Sequence, residues 1–316
     1  MLQFMYQFFL QSVHLIFLQR VHLNFLKRIY VCRKYFLSVL VACSCMVSPL
    51  NSLADGAKPV MTVVISRETT LTLDHDDYYF SKVLELALTK TVSSHGPYRI
   101  KLVPVMPIAN RLLRDIEMGR VDVTWMPYNI NAPAKLMPIK VRLLKNLSDH
   151  RVFLIRADDQ PRFSNVKTIE DLRKLRGGMG SHWPDRIVME ENGLPLVLSL
   201  SYFNLFKMLA SNRFDYYSRG VHQVLPEISA YAEKGLALEQ ELLLRYNNPV
   251  YFYVNKSNTL LAERLSLGMK IAMEDGSFDD LFNQFEHFAW AETLLKRGNR
   301  RVIPLSNFSF SDASQQ

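Results

Sequence analysis

Cysteine is absent after Cys45, so the body of the chain has no disulfide, no thiolate nucleophile and no Cys-ligated metal. Acidic residues are absent from the other end: residues 1–54 hold Arg20, Lys27, Arg28, Arg33 and Lys34 but no Asp or Glu. That absence explains most of the formal charge of +8, because the remaining 33 basic residues face 30 acidic ones. So small and interspersed a surplus makes no phosphate-tracking surface and argues against a nucleic-acid partner. Also missing are a Gly-x-Ser-x-Gly elbow, a His-Glu-x-x-His pair, a P-loop and a Gly-x-Gly-x-x-Gly turn after a strand. The chain is therefore expected to bind rather than catalyse. No low-complexity tract and no apolar run of membrane-spanning length follows residue 54.

What the first 54 residues do contain is a leader pattern. Arg33-Lys34 precedes an apolar run from Tyr35 to Leu50, and Ser52-Leu53-Ala54 precedes the charged Asp55. A basic region, an apolar core and small residues at −3 and −1 describe a secretory signal peptide cleaved after Ala54. Two alternatives stay open: lipidation at Cys43, since Leu40-Val41-Ala42-Cys43 has the form of a lipobox, and an uncleaved anchor. Each places the body outside the cytoplasm, in the periplasm. Residues 1–30 are rich in Phe, Leu and Gln, unlike an ordinary basic region, so initiation near Val31 is expected.

Residues 205–220, LFKMLASNRFDYYSRG, hold the most information. Leu205, Phe206, Met208 and Leu209 form one apolar helical stripe, Ser211-Asn212 stops it, and Phe214, Tyr216 and Tyr217 continue as a strand ending at Arg219. The pattern occurs 93 positions earlier: Leu112, Leu113 and Ile116 form the stripe, Met118-Gly119 the stop, and Arg120-Val121-Asp122 matches Arg213-Phe214-Asp215. Copies so far apart suggest two similar α/β lobes rather than a solenoid. Around them the pattern predicts strands at 60–66, 98–105, 121–126, 178–181, 196–200 and 249–255, and extended runs at 141–145, 151–156 and 236–244, the run at 151–156 crossing into a second lobe. Helices are expected at 79–91, 108–118, 222–234, 259–274 and 277–288, and a capping box at Thr168 and Asp171. Alternation of this kind implies mostly parallel sheets flanked by helices.

In this order the chain resembles the bacterial periplasmic solute-binding proteins of the type 2 fold, in particular the family-3 group of amino-acid receptors for ABC importers. The resemblance covers about 58 to 290. It rests on GRVD at 119–122, TIEDLRKLRGGMGS at 168–181, NRFDYYSRG at 212–220 and MEDGSFDDLFNQF at 273–285. It implies an α/β protein of two lobes joined by two hinge strands: 58–150 with 251–305 as lobe 1, 151–250 as lobe 2, and 306–316 as a polar tail. It implies a monomer that clamps a small-molecule solute between the lobes, uses no cofactor, and serves an inner-membrane permease or a sensor. A periplasmic enzyme on the same fold is a third class.

Two departures bear on the solute. The Arg that clamps the α-carboxylate in that group has at best Lys135 as a substitute, a point charge without the bidentate fork. Where the group carries an acid for the α-amino group, this chain has Ser218-Arg219. A cation there favours an anionic solute, or a partner other than a free amino acid.

Site candidates follow from the rule that open α/β sheets bind ligands beyond their strand ends. Arg219 is the leading one, with an internal ion pair as its plain alternative. Ser181, His182 and Trp183 precede a helix start, Trp125, Tyr128 and Asn129 end the 121–126 strand, and Arg67 and Glu68 end the first strand. Tyr78 is a candidate stacking ring. Asp74, His75, Asp76 and Asp77 match neither a Ca²⁺ loop nor a zinc site and read as a solvated turn.

Overall fold

The structure is a computed structural model that describes residues 58–66, 76–103, 109–128 and 132–307. Residues 1–57, where the leader is expected, Arg67, Glu68, Asp74, His75, Asn129 and residues 308–316 lie outside the described residues.

The first group of elements is β1 (Met61–Ser66), α1 (Asp76–Lys90), β2 (Tyr98–Val103), α2 (Ala109–Glu117), β3 (Val123–Pro127) and β4 (Leu136–Ile139). Tyr79, Phe80, Val83, Leu84, Ala87 and Leu88 give α1 a buried stripe, while Asp76 and Asp77 in its first turn and Lys90 in its last suit the helix dipole. The second group is β5 (His150–Arg156), β6 (Gly177–Gly180), α3 (Asp185–Glu191), β7 (Leu196–Ser199), α4 (Tyr202–Ala210), β8 (Tyr216–Gly220), α5 (Val224–Tyr231), β9 (Leu236–Leu238) and β10 (Leu242–Arg245). The chain then returns through β11 (Val250–Asn255), α6 (Thr259–Glu274), α7 (Ser277–Asn283), α8 (Glu286–Arg297) and β12 (Arg301–Pro304). Thr168 and Asp171 form the expected capping box, opening a single helical turn ahead of β6.

Among the described residues β1 and β2 pair in parallel, β3, β11 and β4 form a three-stranded sheet, and seven strands run in the order β12-β10-β5-β8-β6-β7, with β9 beside β5. The sheets are mixed rather than mostly parallel. β8, β6 and β7 run parallel, but β5 and β11, the strands that carry the chain between the groups, enter antiparallel to their neighbours.

The repeat is visible in the bonds. Gly119 and Asn212, both with positive φ, end α2 and α4 in the left-handed conformation that stops a helix. Arg120 N then donates to Asp115 O and Arg213 N to Met208 O. Asp122 exchanges two bonds with Val64, donating its N–H to the carbonyl at 2.8 Å and accepting the amide on Oδ2 at 2.7 Å. Asp215 does the same with Arg176, also at 2.8 and 2.7 Å.

Three expectations differ from the structure. The run 141–145 turns instead of extending, because Leu143 and Leu144 fold inward to be fully buried. The helix expected over 277–288 breaks at Gln284 and restarts as α8. The stretch 301–304, expected with lobe 1, forms β12, which lies parallel to β10 on the edge of the larger sheet and so pairs with the second group of strands rather than the first. One apolar cluster runs from Val63 and Leu84 through Leu143, Leu147 and Val250 to Phe206 and Tyr217, so the two groups share a core along their junction. At another junction Gly268 of α6 lies so close to α1 that an added Cβ would sit 2.0 Å from the Ala87 carbonyl oxygen. Arg264, one turn earlier and fully buried, donates to Leu88 O and Gly96 O at 3.2 and 2.8 Å, satisfying one carbonyl in the last turn of α1 and one beyond it.

Candidate functional site

A cavity of about 800 Å³ lies between the two groups of elements. One bank is Asp76 and Phe80 from α1 with Trp125, Met126 and Pro127 from β3; the other is built from the starts of α3, α4 and α5 and the end of β8; Ser148, Arg151, Asn248 and Val250 of the connecting segments also line it.

Arg219 ends β8, a strand buried along its whole length. Its Nε reaches Glu227 Oε1 and Oε2 at 2.8 and 2.9 Å, and Nη2 lies 2.6 Å from Oε1. The guanidinium carbon sits 5.0, 5.2 and 5.4 Å from the ring centroids of Trp183, Tyr217 and Tyr202. Tyr202 adds a bond from its hydroxyl to Glu227 Oε1 at 2.8 Å. Burial alone would depress the guanidinium, but Glu227 and the neighbouring phenols outweigh it and raise it above its ordinary value. The leading candidate is thus a charge neutralised from within, the plain alternative in the sequence reading, and not a bare cation awaiting an anion.

A second buried ion pair stands beside it. Arg151 of β5 pairs with Asp185 at the start of α3, and Arg151 Nε donates to Tyr246 Oη at 3.0 Å. Tyr246 in turn donates to Asp185, which also accepts from Asn248 Nδ2 at 3.2 Å. Burial pushes the Asp185 carboxyl up, yet Arg151 and the Tyr246 hydroxyl bring it below its ordinary value.

His222, just past β8, is 5% exposed, and burial depresses it to about 4, helped by Arg151, Arg219 and His287 and opposed by Asp76. It is neutral near pH 7. Its Nε2 lies 3.9 Å from Asp76 Oδ2, and its Nδ1 is buried without a partner among the described residues, as is Ser148 Oγ. Gln223 Nε2 donates to Asp76 Oδ2 at 2.8 Å, joining the two banks.

Of the ten residues named from sequence, Trp125, Trp183 and Arg219 meet in this cavity. Trp125 Nε1 donates to Asp77 Oδ1 at 2.6 Å and its ring lies 5.7 Å from that of Phe80. Tyr78 packs toward Phe285, and Tyr128 toward Tyr251; neither lines the cavity. Ser181 is half-buried behind the wall, His182 is exposed, and both stand outside the lining because Gly180 and Trp183 turn the chain away there. Lys135 is exposed and outside it too. Arg67, Glu68 and Asn129 lie outside the described residues. Asp76 and Asp77 form the first turn of α1 rather than a solvated turn.

Sequence reading missed Asp76, Arg151, Asp185, His222 and Glu227. Glu227 had a signal: it is the first carboxylate after Arg219 in the chain, and a buried guanidinium requires one. Arg151 and Asp185 are 34 positions apart and had none.

No family model matches the sequence, and no curated protein does. Solved structures do match the fold. A probable amino-acid ABC transporter extracellular-binding protein from Bacillus subtilis aligns with a TM-score of 0.55 and 17% identity over 72% of this chain and 98% of its own. A histidine kinase sensor domain with similarity to periplasmic binding proteins gives 0.52 and 14%, covering 72% and 96%. An ancestral arginine-binding protein bound to glutamine gives 0.51 and 15%, covering 71% and 97%. The fold is that of the type 2 periplasmic binding proteins. Among the described residues no helix is long and apolar enough to cross a membrane.

Proposed function

We propose that this chain, with a type 2 binding-protein fold, is a solute-binding protein of the periplasm that clamps a small polar solute between its two halves and delivers it to a membrane transporter. The observation that carries the reading is the cavity, with Trp125 on one bank and Arg219 on the other. Its volume of about 800 Å³ falls in the range for small-molecule sites, and apolar walls with a few placed polar groups are what such sites offer. Hinge closure needs only that the solute bind the closed form better than the open one. β5 and β11, which carry the chain between the halves, are the natural hinges.

Thermal-shift screening against amino acids, organic acids, amines and small peptides tests the reading. A solute at a hundred times its dissociation constant stabilises the fold by about 2.7 kcal/mol, a shift of several degrees. Absence of any shift across the screen defeats it. A second reading, a sensor that feeds a signalling partner, is favoured by the likeness to the kinase sensor domain. Capture of a permease on solute loading supports the first role, and capture of a sensor kinase the second.

A further inference from the structure

Resting on that solute-binding reading, we propose that the cleft selects organic cations bearing a primary amine and lacking a carboxylate. The described lining holds three carboxylates and two guanidiniums. Arg219 is claimed by Glu227 and Arg151 by Asp185, both inside the wall. A solute carboxylate entering here meets no guanidinium whose charge is left uncompensated among the described residues, so no net positive charge draws it in.

Asp76 is the carboxylate left over. It accepts one bond from the uncharged Gln223 side chain, and among the described residues the basic group within ion-pair reach is His222, held neutral by burial. Phe80 lies one helical turn along the same face of α1, with the Trp125 ring against it and the indole pinned by Asp77. Aromatic faces beside a carboxylate attract a cation and repel an anion. The polar capacity left in the wall agrees. Ser148 Oγ and His222 Nδ1 are buried in the same cavity without partners among the described residues. An ammonium brings three donors and no acceptor, and a carboxylate, a hydroxyl and an imidazole lone pair can each accept one.

The test uses the full chain and a panel matched in body and varied in head. Phenylethyl, imidazolylethyl, indolylethyl and butyl bodies each carry an ammonium, a hydroxyl, a carboxylate or an amino-acid head, and binding is read by calorimetry and thermal shift. The expected result is that at least one amine binds about tenfold or more tighter than the carboxylate and the amino acid of the same body. Asp76→Asn should weaken that amine by about tenfold and change the matching alcohol by less than about threefold. Should Asp76→Asn fail to fold, the wild-type series decides alone. Tighter binding of carboxylates or amino acids overturns the charge preference and leaves the solute-binding reading standing, whereas silence from the whole panel overturns both. An amine that binds equally well to a folded Asp76→Asn protein also overturns it.

Discussion

Asp122 and Asp215, 93 positions apart, make the same pair of backbone bonds in two different sheets. Each follows a helix closed by a left-handed residue and locks the incoming strand onto its neighbour through one amide and one carbonyl. The duplicated Arg-apolar-Asp motif is therefore a structural clamp, used once in each half.

Replacing either aspartate with alanine should cost about 1–3 kcal/mol, the cost of an unmet buried donor. Asp215→Ala should be the more damaging, because Asp215 Oδ1 also pairs with Arg162 at 2.7 Å. The two losses should add to within about 0.5 kcal/mol, since the clamps share no partner. Urea denaturation of both single variants and the double variant measures all three quantities.

Glu227→Gln leaves Arg219 buried beside rings with no countercharge and should cost about 3–5 kcal/mol. Replacing both partners by Leu and Met should recover most of that loss. The same Glu227→Gln variant, where folded, should gain affinity for carboxylates relative to the wild type, which calorimetry with acetate or benzoate will show.

His222 gives the protein an acid-sensitive stability. Its folded value of about 4 lies below the unfolded 6.5, so between these pH values the unfolded chain binds the extra proton. Stability from this group is complete above about pH 6.5 and declines as pH falls toward 4, by about 3 kcal/mol. His222→Gln should flatten that part of the curve when melting is followed across the window. An unchanged slope would mean that the imidazole is not buried neutral.

Gly268→Ala ordinarily favours a helix by about 1 kcal/mol. Here the new methyl meets the Ala87 carbonyl at 2.0 Å, so α6 must back away from α1 and the net effect should be a loss of about 1–3 kcal/mol. A raised melting temperature would show that the two helices separate freely.

The strand and helix order, the capping box at Thr168 and the doubled motif were legible because each is local: apolar spacing, a capping pair, a turn residue. Trp125, Trp183 and Arg219 were legible as strand-end and helix-start residues. The charge balance of the cavity was not. It depends on Arg151 finding Asp185 across the sheet and on Asp76 reaching the opposite bank through Gln223, 147 positions away, and neither leaves a trace in local spacing. The antiparallel entry of β5 and β11 and the late strand β12 escaped for the same reason, since pairing direction is a property of the whole topology.

The apolar strip through Leu143, Leu147 and Val250 belongs to neither half alone. Severing the chain there would leave each fragment with an oily scar, so the pieces should clump when expressed apart and dissolve only when made together. Melting should then register as one event, a single calorimetric peak, however freely the two banks swing about that greased pivot.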